Sequence, residues 1–330
     1  MKVAVLGAGS FGCSIAQVLS SNNHEVMLWD FNPENAAKLD QTRSNPFIPD
    51  AKIDDTIFVT SDLAEVKNYD MITYVVPSFA LRQTGQKIKD LGCDDKIQVI
   101  CTKGIEAESM KTGLNILEED LGFRGDIVIL SGPTHAEELA LKKFTTIVST
   151  CSNIETAKLV QSTFNCDYLR VYTQTDVTGV EILGGAKNVL AIAAGICDSH
   201  PELGDNAKAA LLTRGLREMT IIGKFEGAQE STFYGLTGMG DLIVTATSQH
   251  SRNRKFGELI GKGLTKEEAI AEVKMTVEGV YSVKALYQLA EKHNLDLPIV
   301  KTIYAVLEEG KTIDEALGLI SGRGLKAEQD

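Results

Sequence analysis

One decapeptide constrains the fold of this 330-residue chain more than any other stretch: residues 3–12, VAVLGAGSFG. An apolar run, Val3-Ala4-Val5-Leu6, breaks into Gly7-Ala8-Gly9-Ser10-Phe11-Gly12, and helical spacing follows at Cys13, Ala16, Gln17 and Leu19. A G-x-G-x-x-G match carries meaning only in this setting, between a strand and a helix. Gly7 permits a sharp turn out of the strand, Gly9 lets a pyrophosphate approach the backbone, and Gly12 lets the helix lie close to the sheet. The helix then offers unpaired N–H groups and the positive end of its dipole to the phosphates. A second strand, Glu25-Val26-Met27-Leu28-Trp29, ends at Asp30, near the usual distance of about 20 residues to an acidic ribose ligand. A chance glycine cluster in a tight turn would not be followed by helix, strand and acid in register.

The alternation continues. Short strands are expected at 57–60, 71–76, 97–102 and 127–130, each followed by a helix-like segment. The last three end in Pro77-Ser78, Lys103-Gly104 and Ser131-Gly132-Pro133-Thr134. This pattern predicts an α/β, Rossmann-like doubly wound parallel sheet with near-continuous apolar strands. Ligands of such sheets bind outside the carboxyl ends of the strands. Gly9, Asp30, Pro77, Lys103 and Gly132 should therefore share one sheet edge. Residues 31–56, with Pro46 and Pro49, read as a helix start and then a surface excursion. Two further strands are expected at 146–151 and 168–172. Beyond Thr173 the β-branched runs stop, and helical spacing takes over at 180–197, 206–225, 251–262, 265–274, 278–292, 300–309 and 313–321. The expected division is a dinucleotide-binding domain over 1–175 and an all-α, substrate-binding and catalytic domain over 176–330, with a frayed tail after Arg323.

Composition narrows the class. The six cysteines are scattered, with no C-x-x-C, and read as reduced, buried thiols of a cytoplasmic protein. The five histidines show no metal-ligand spacing, so no metal is expected. The net charge is −12 and no extended basic stretch invites nucleic acid. An anionic substrate would need a local cluster of positive charge. The N-terminal apolar run is too short for a signal peptide. The longest later one, 189–197, is far short of a membrane span.

Several residues could carry chemistry. Lys187 falls on an apolar stripe with Val180, Leu183, Leu190 and Ala194. Burial there would lower its pKa, as a proton donor or acceptor requires, unless the side chain snorkels to the helix edge. Asn188 beside it can bind a substrate hydroxyl. Gly184 and Gly185 weaken the helix and suit either a close ligand or close packing. Lys103 sits at the expected ligand edge, where it could hold a phosphate or carbonyl oxygen or remain an exposed loop lysine. Thr237-Gly238-Met239-Gly240 brings Asp241 to a helix start, where it could serve catalysis or act as an N-cap. Ser251-Arg252-Asn253-Arg254-Lys255 is the densest basic cluster, and basic charge at a helix start opposes the dipole unless an anion binds.

Together these residues resemble the NAD(P)-dependent glycerol-3-phosphate dehydrogenase family. The resemblance rests on the glycine motif, Val76-Pro77-Ser78, Thr102-Lys103-Gly104, Ser131-Gly132-Pro133-Thr134, Gly184-Gly185-Ala186-Lys187-Asn188-Val189, Thr213-Arg214-Gly215, Gly238-Met239-Gly240-Asp241 and Ser251-Arg252-Asn253, in this order. It implies a cytoplasmic homodimer that interconverts dihydroxyacetone phosphate and sn-glycerol 3-phosphate for glycerophospholipid synthesis. It implies that Lys187 is the proton donor/acceptor, oriented by Asp241. Lys103, Gly132, Thr134, Asp241, Ser251, Arg252 and Asn253 match the family's substrate contacts. Ser10, Phe11, Lys103, Ala136, Arg252 and Glu278 match its cofactor contacts. Many bacterial members carry Arg or His where this chain has Phe31. With Asp30 alongside, this gives the expectation that NADH serves at least as well as NADPH. Two other readings stand beside it: a β-hydroxyacid or 6-phosphogluconate-type dehydrogenase, and a non-enzymatic dinucleotide-sensing module. The first would carry asparagine four residues after the lysine, where this chain has Ala191. The second would need a partner or DNA surface.

Overall fold

A computed structural model describes residues 1–325, 327 and 328, so the expected frayed tail falls partly outside the described residues. Eight strands make one sheet in the order β3-β2-β1-β4-β5-β6-β7-β8. They are β1 (Lys2–Leu6), β2 (Glu25–Trp29), β3 (Phe58–Thr60), β4 (Met71–Tyr74), β5 (Ile97–Ile100), β6 (Ile127–Ser131), β7 (Thr145–Thr150) and β8 (Leu169–Gln174). Alternate residues of β1 feed two separate cores. Val3 and Val5 join one with Leu28, Val99 and Val128, while Ala4 and Leu6 join another with Met27, Ile72, Ile100 and Ile129. A sheet covered on both faces needs such two-sided apolar strands. The covering helices are α1 (Ser10–Ser21), α2 (Pro33–Thr42), α3 (Ser78–Asp90), α4 (Gly113–Asn115, continued by a π turn over Ile116–Asp120), α5 (Ala136–Ala140) and α6 (Ile154–Phe164).

The first six strands are parallel, with Leu6 level with Trp29 and Tyr74, and Tyr74 level with Ile100. Their carboxyl ends therefore bring Gly9, Asp30, Pro77, Lys103 and Gly132 to one edge. The expectation of a wholly parallel sheet needs correction at β7, which runs antiparallel to β6. A parallel crossover takes a dozen or more residues, usually with a full helix. Only the five-residue α5 lies between these strands, too short to carry the chain back along the sheet. The longer α6 does so, and β7 and β8 are parallel.

From Val177 the chain is helical: α7 (Val177–Ser199), α8 (Asp205–Phe225), α9 (Glu230–Phe233), α10 (Asp241–Thr247), α11 (Arg252–Gly261), α12 (Lys266–Val273), α13 (Glu278–His293), α14 (Pro298–Glu308) and α15 (Ile313–Ser321). The apolar stripe expected around Lys187 is a second correction. Residues 179–197 are buried at every position, because α8, α10, α11, α13 and α14 all pack around α7. A helix apolar on all sides is one with protein on all sides. By length and composition α7 could cross a membrane, yet it is enclosed by the rest of the chain. Its contact with α11 is close enough that a Cβ on Gly195 would overlap the Arg254 carbonyl oxygen. All six cysteines are free thiols, but Cys166 is half-buried rather than buried.

Candidate active site

The glycine motif forms a cradle. Gly7 leaves β1 with φ +111° and donates its N–H to Trp29 O at 2.9 Å. A side chain at Gly12 would collide with the Gly7 carbonyl, so the start of α1 is pressed against the strand. Gly9 is the N-cap of α1, without a side-chain cap, and a Cβ there would meet nothing within 4 Å. Uncapped N–H groups facing open space are what a pyrophosphate requires, so these residues fit a dinucleotide. Ser10 is buried and Phe11 half-buried along the same turn. Ser14 Oγ donates to Ser10 O and Ala136 O, both at 2.9 Å, which fixes Ala136 and α5 beside the cradle. Asp30 ends β2, and its Oδ1 accepts from the Asn32 N–H at 2.9 Å. Burial raises its pKa, against hydrogen bonds from Asn32 and Asn35. Phe31 is 77% exposed. Arg43 is held by Ile57 O at 2.8 Å and by Asp40 at 2.6 Å.

At the same sheet edge a carboxylate joins two lysines from opposite parts of the chain. Asp241 Oδ2 lies 3.0 Å from Lys103 Nζ, on the loop after β5. Its Oδ1 lies 2.5 Å from Lys187 Nζ, on α7. Lys103 Nζ also donates to Gly132 O at 2.7 Å and sits 3.4 Å from Thr134 Oγ1. Lys187 Nζ donates to Thr245 Oγ1 at 3.0 Å, and Thr245 donates to Asp241 O at 2.6 Å. Lys187 and Asp241 are almost wholly buried, so the lysine does not snorkel. Burial pulls Lys187 down to about 7, assisted by Lys103 and opposed by Asp241. Burial alone would raise Asp241, but the two lysines together hold it below the usual carboxylate range. Asp241 opens α10 without acting as its cap, because Gly240 holds the N-cap position. The turn before it, Leu236–Gly240, is a single π turn, a feature frequent at functional sites.

Beside the lysines, Asn188 Oδ1 accepts from Asn253 Nδ2 at 2.9 Å, and Asn253 Oδ1 accepts from the Gly279 N–H at 2.9 Å. Asn188 Nδ2 donates back to Gly184 O at 3.1 Å. The two asparagines thus tie α7, α11 and α13 together in a buried relay. Ser251 caps α11 by accepting from the Arg254 N–H. The basic cluster is less uncompensated than its sequence implies. Arg254 pairs with Asp198, brought in by the end of α7, at 2.6 Å, and with Glu258, one turn along its own helix, at 2.8 Å. Arg252 is exposed, with no ion pair among the described residues. Glu278 opens α13 and accepts from Ser78 N at 3.1 Å and Ser78 Oγ at 2.5 Å, joining the helical region to the start of α3. Burial raises the Glu278 pKa, against those bonds and the charge of Arg252.

Sequence reasoning missed Thr245 and His135, and it named Ser78 within a motif without its bond to Glu278. Thr245 was detectable as the i+4 neighbour of Asp241 on one helix face. His135 has its Nε2 3.4 Å from Val244 O and its pKa lowered by burial. Nothing in the sequence signals that contact.

Two family models cover almost all of the chain. Residues 2–157 match the NAD-dependent glycerol-3-phosphate dehydrogenase N-terminus and residues 176–318 its C-terminus. The chain belongs to this family. Relatives named glycerol-3-phosphate dehydrogenase [NAD(P)+] include one from Fusobacterium nucleatum, 43% identical over 99% of this chain and 98% of its own length. Another, from Oceanobacillus iheyensis, is 44% identical over 100% and 96%. A crystal structure of glycerol-3-phosphate dehydrogenase from Coxiella burnetii superposes with a TM-score of 0.93 at 33% identity, covering 98% of this chain and 99% of that one. A ketopantoate reductase from Ralstonia eutropha shares the fold alone, with a TM-score of 0.63 at 16% identity. The full-length family match decides against the competing dehydrogenase and sensor readings.

Proposed function

We propose that this member of the family is a glycerol-3-phosphate dehydrogenase that interconverts dihydroxyacetone phosphate and sn-glycerol 3-phosphate with NADH or NADPH. The observation that carries the reading is the Asp241 carboxylate shared by Lys103 and Lys187 at the edge of a dinucleotide cradle. A bound nicotinamide supplies or accepts the hydride. The chain's own residues manage the proton and the substrate. Lys187 Nζ protonates the carbonyl oxygen at C2 during reduction and takes the proton back during oxidation. A group with a pKa near the working pH serves both directions. Asp241 orients Lys187 and keeps it from losing its proton too readily. Lys103, with Gly132 and Thr134, positions the substrate oxygens. Arg252 grips the phosphate in a charge-assisted fork, with Ser251 and Asn253 beside it. Binding energy from the phosphate then positions the reacting carbon.

Gly7, Gly9, Ser10, Phe11, Gly12 and Ala136 hold the pyrophosphate side of the dinucleotide, Asp30 and Phe31 the adenosine side, and Lys103, Arg252 and Glu278 the nicotinamide side. Asn188 acts through Asn253 and shapes the substrate pocket. The domains divide near residue 175, and the enzyme works in the cytoplasm as a homodimer whose product feeds glycerophospholipid synthesis. The test is oxidation of NADH and of NADPH with dihydroxyacetone phosphate, followed by absorbance. Turnover is expected with both. Dinucleotide binding without turnover on this ketone would overturn the reading.

A further inference from the structure

The start of α3 has no side-chain cap of its own. Pro77 holds the N-cap position without a side-chain bond, so the first N–H groups of the helix need an acceptor from elsewhere. It comes from the helical region, 200 residues further along the chain. Glu278, the first residue of α13, accepts from the Ser78 N–H at 3.1 Å through Oε1 and from the Ser78 hydroxyl at 2.5 Å through Oε2. The helix dipole favours a carboxylate at this end. Beside this pair the rings of Phe79 and Tyr281 meet at 5.6 Å between centroids. The first two residues of α3 are thus clasped by the first turn of α13.

The clasp lies near the dinucleotide cradle and against the loop of Lys103. Ser78 comes three residues after Val75, whose carbonyl oxygen would lie 2.6 Å from a Cβ on Gly7. A Cβ on Gly104, next to Lys103, would lie 2.8 Å from Glu278 Oε2 and 2.9 Å from Ser78 Cβ. Ser78 is buried, whereas Glu278 keeps some exposed surface. A carboxylate has about four lone-pair sites. Ser78 occupies two of them, and no further donor to this carboxylate is present among the described residues.

We propose that Ser78 is a positioning residue for the dinucleotide: by holding both oxygens of Glu278 it aims their remaining lone pairs at donors of the nicotinamide half, a role that rests on the placement of Glu278 beside the nicotinamide in the proposed function. A free glutamate side chain must give up its rotamer freedom when a ligand binds. One held by two hydrogen bonds has already lost it on folding, so the binding step is spared that cost. Ser78 acts through Glu278 alone.

The test is a double-mutant cycle on the full-length protein, with the dissociation constant of NADH read from its fluorescence. Ser78→Ala deletes the hydroxyl bond and keeps the N–H bond, so NADH binding should weaken about 3- to 30-fold, at or below the usual worth of one hydrogen bond to a charged group. Glu278→Ala should weaken it as well. In the Glu278→Ala background Ser78→Ala should add less than about twofold, because its partner is gone, whereas a serine that only supports the fold would cost the same in both backgrounds. The acid limb of NADH binding should also move to higher pH in Ser78→Ala, since burial raises the Glu278 carboxyl while the Ser78 bonds and Arg252 hold it down. An unchanged dissociation constant in Ser78→Ala, or an equal loss in both backgrounds, would overturn the proposal. NADH binding by Glu278→Ala as tight as in the wild type would remove Glu278 from the dinucleotide site and the proposal with it. The cycle reads binding alone, so a wild type that binds NADH without turning over dihydroxyacetone phosphate would count against the proposed function and not against Ser78. Should Ser78→Ala fail to fold, Ser78→Cys, a weaker donor, takes its place in the cycle.

Discussion

Asp241→Asn removes one negative charge from between two ammonium groups and leaves the shape nearly unchanged. In the wild type, burial lowers Lys187 to about 7 while Asp241 opposes that fall. With the carboxylate gone, the opposing attraction disappears and the repulsion from Lys103 remains. Unit charges about 4 Å apart interact by roughly 4 kcal/mol at an effective dielectric of about 20. At about 1.36 kcal/mol per pKa unit, that is an upper limit near 3 units. Water entering the vacated site will reduce it, so we expect Lys187 to fall by about 1–3 units. The sign of the kinetic effect follows from the proton's direction. Reduction needs protonated Lys187, so its kcat should be high below about 7 and decline above, and oxidation should do the reverse. In Asp241→Asn both limbs should move to lower pH. Reduction at pH 7 should then lose about 10- to 10³-fold in kcat, while oxidation at the same pH loses less. The measurement is kcat against pH in both directions. A reduction limb that stays in place, or moves to higher pH, would refute the assignment of that limb to Lys187 under the control of Asp241.

Lys187→Met should leave NADH binding, read by fluorescence, nearly intact and lower kcat about 10²- to 10⁴-fold; retention of a tenth of the wild-type kcat would remove Lys187 from proton transfer. Phe31→Arg should move the ratio of kcat/KM for NADPH and NADH towards NADPH, because Asp30 repels a 2′-phosphate and nothing at position 31 now offsets it; an unchanged ratio would show that the choice is made elsewhere. Glu218, whose carboxylate accepts from the N–H groups of Ile299 and Val300 at 2.6 and 3.1 Å, is pushed up to about 7 by burial. The folded chain therefore binds more protons than the unfolded one between their two pKa values, and stability should fall as pH rises through that window. Glu181 adds to the same slope. Glu218→Gln should make the slope shallower and cost about 1–3 kcal/mol, since an amide cannot accept both N–H groups; urea midpoints at pH 5 and pH 7 that differ as much in the variant as in the wild type would exclude this origin.

How far the fold was legible depended on the range of the forces involved. The cradle is written in consecutive residues, because turn, dipole and close approach all act within one strand–turn–helix unit. The sheet edge was legible because parallel strands bring their carboxyl ends together whatever the helices between them do. The reversal at β7 was missed because it depends on what a five-residue helix cannot span. Lys187 was found as a lysine among apolar residues, but its enclosure on all sides comes from five helices that follow it in the chain. The pairing of Arg254 with Asp198 was invisible because those residues lie far apart in sequence. The basic cluster therefore looked more anion-dependent than it is. The sharing of Asp241 by Lys103 and Lys187 needed the whole fold, since 138 residues separate Lys103 from Asp241.

The enclosure of α7 also bears on how the chain is made. Its covering helices run from α8 to α14, so they leave the ribosome after it. At about 5–20 residues per second, the stretch from Ser199 to Glu308 takes roughly 5–20 s to synthesise. For that interval the nascent chain presents a 23-residue apolar helix that resembles a membrane segment. The lysine proposed to move the proton lies near the middle of this helix. A lysine at the centre of a membrane helix adds about 2.5–3.5 kcal/mol to the cost of insertion. We infer that this lysine also guards the nascent helix against the bilayer before there is any active site. Residues 177–199 placed in a translocon-insertion reporter would measure this, with Lys187→Leu expected to insert more often. Equal insertion of the two segments would remove the idea.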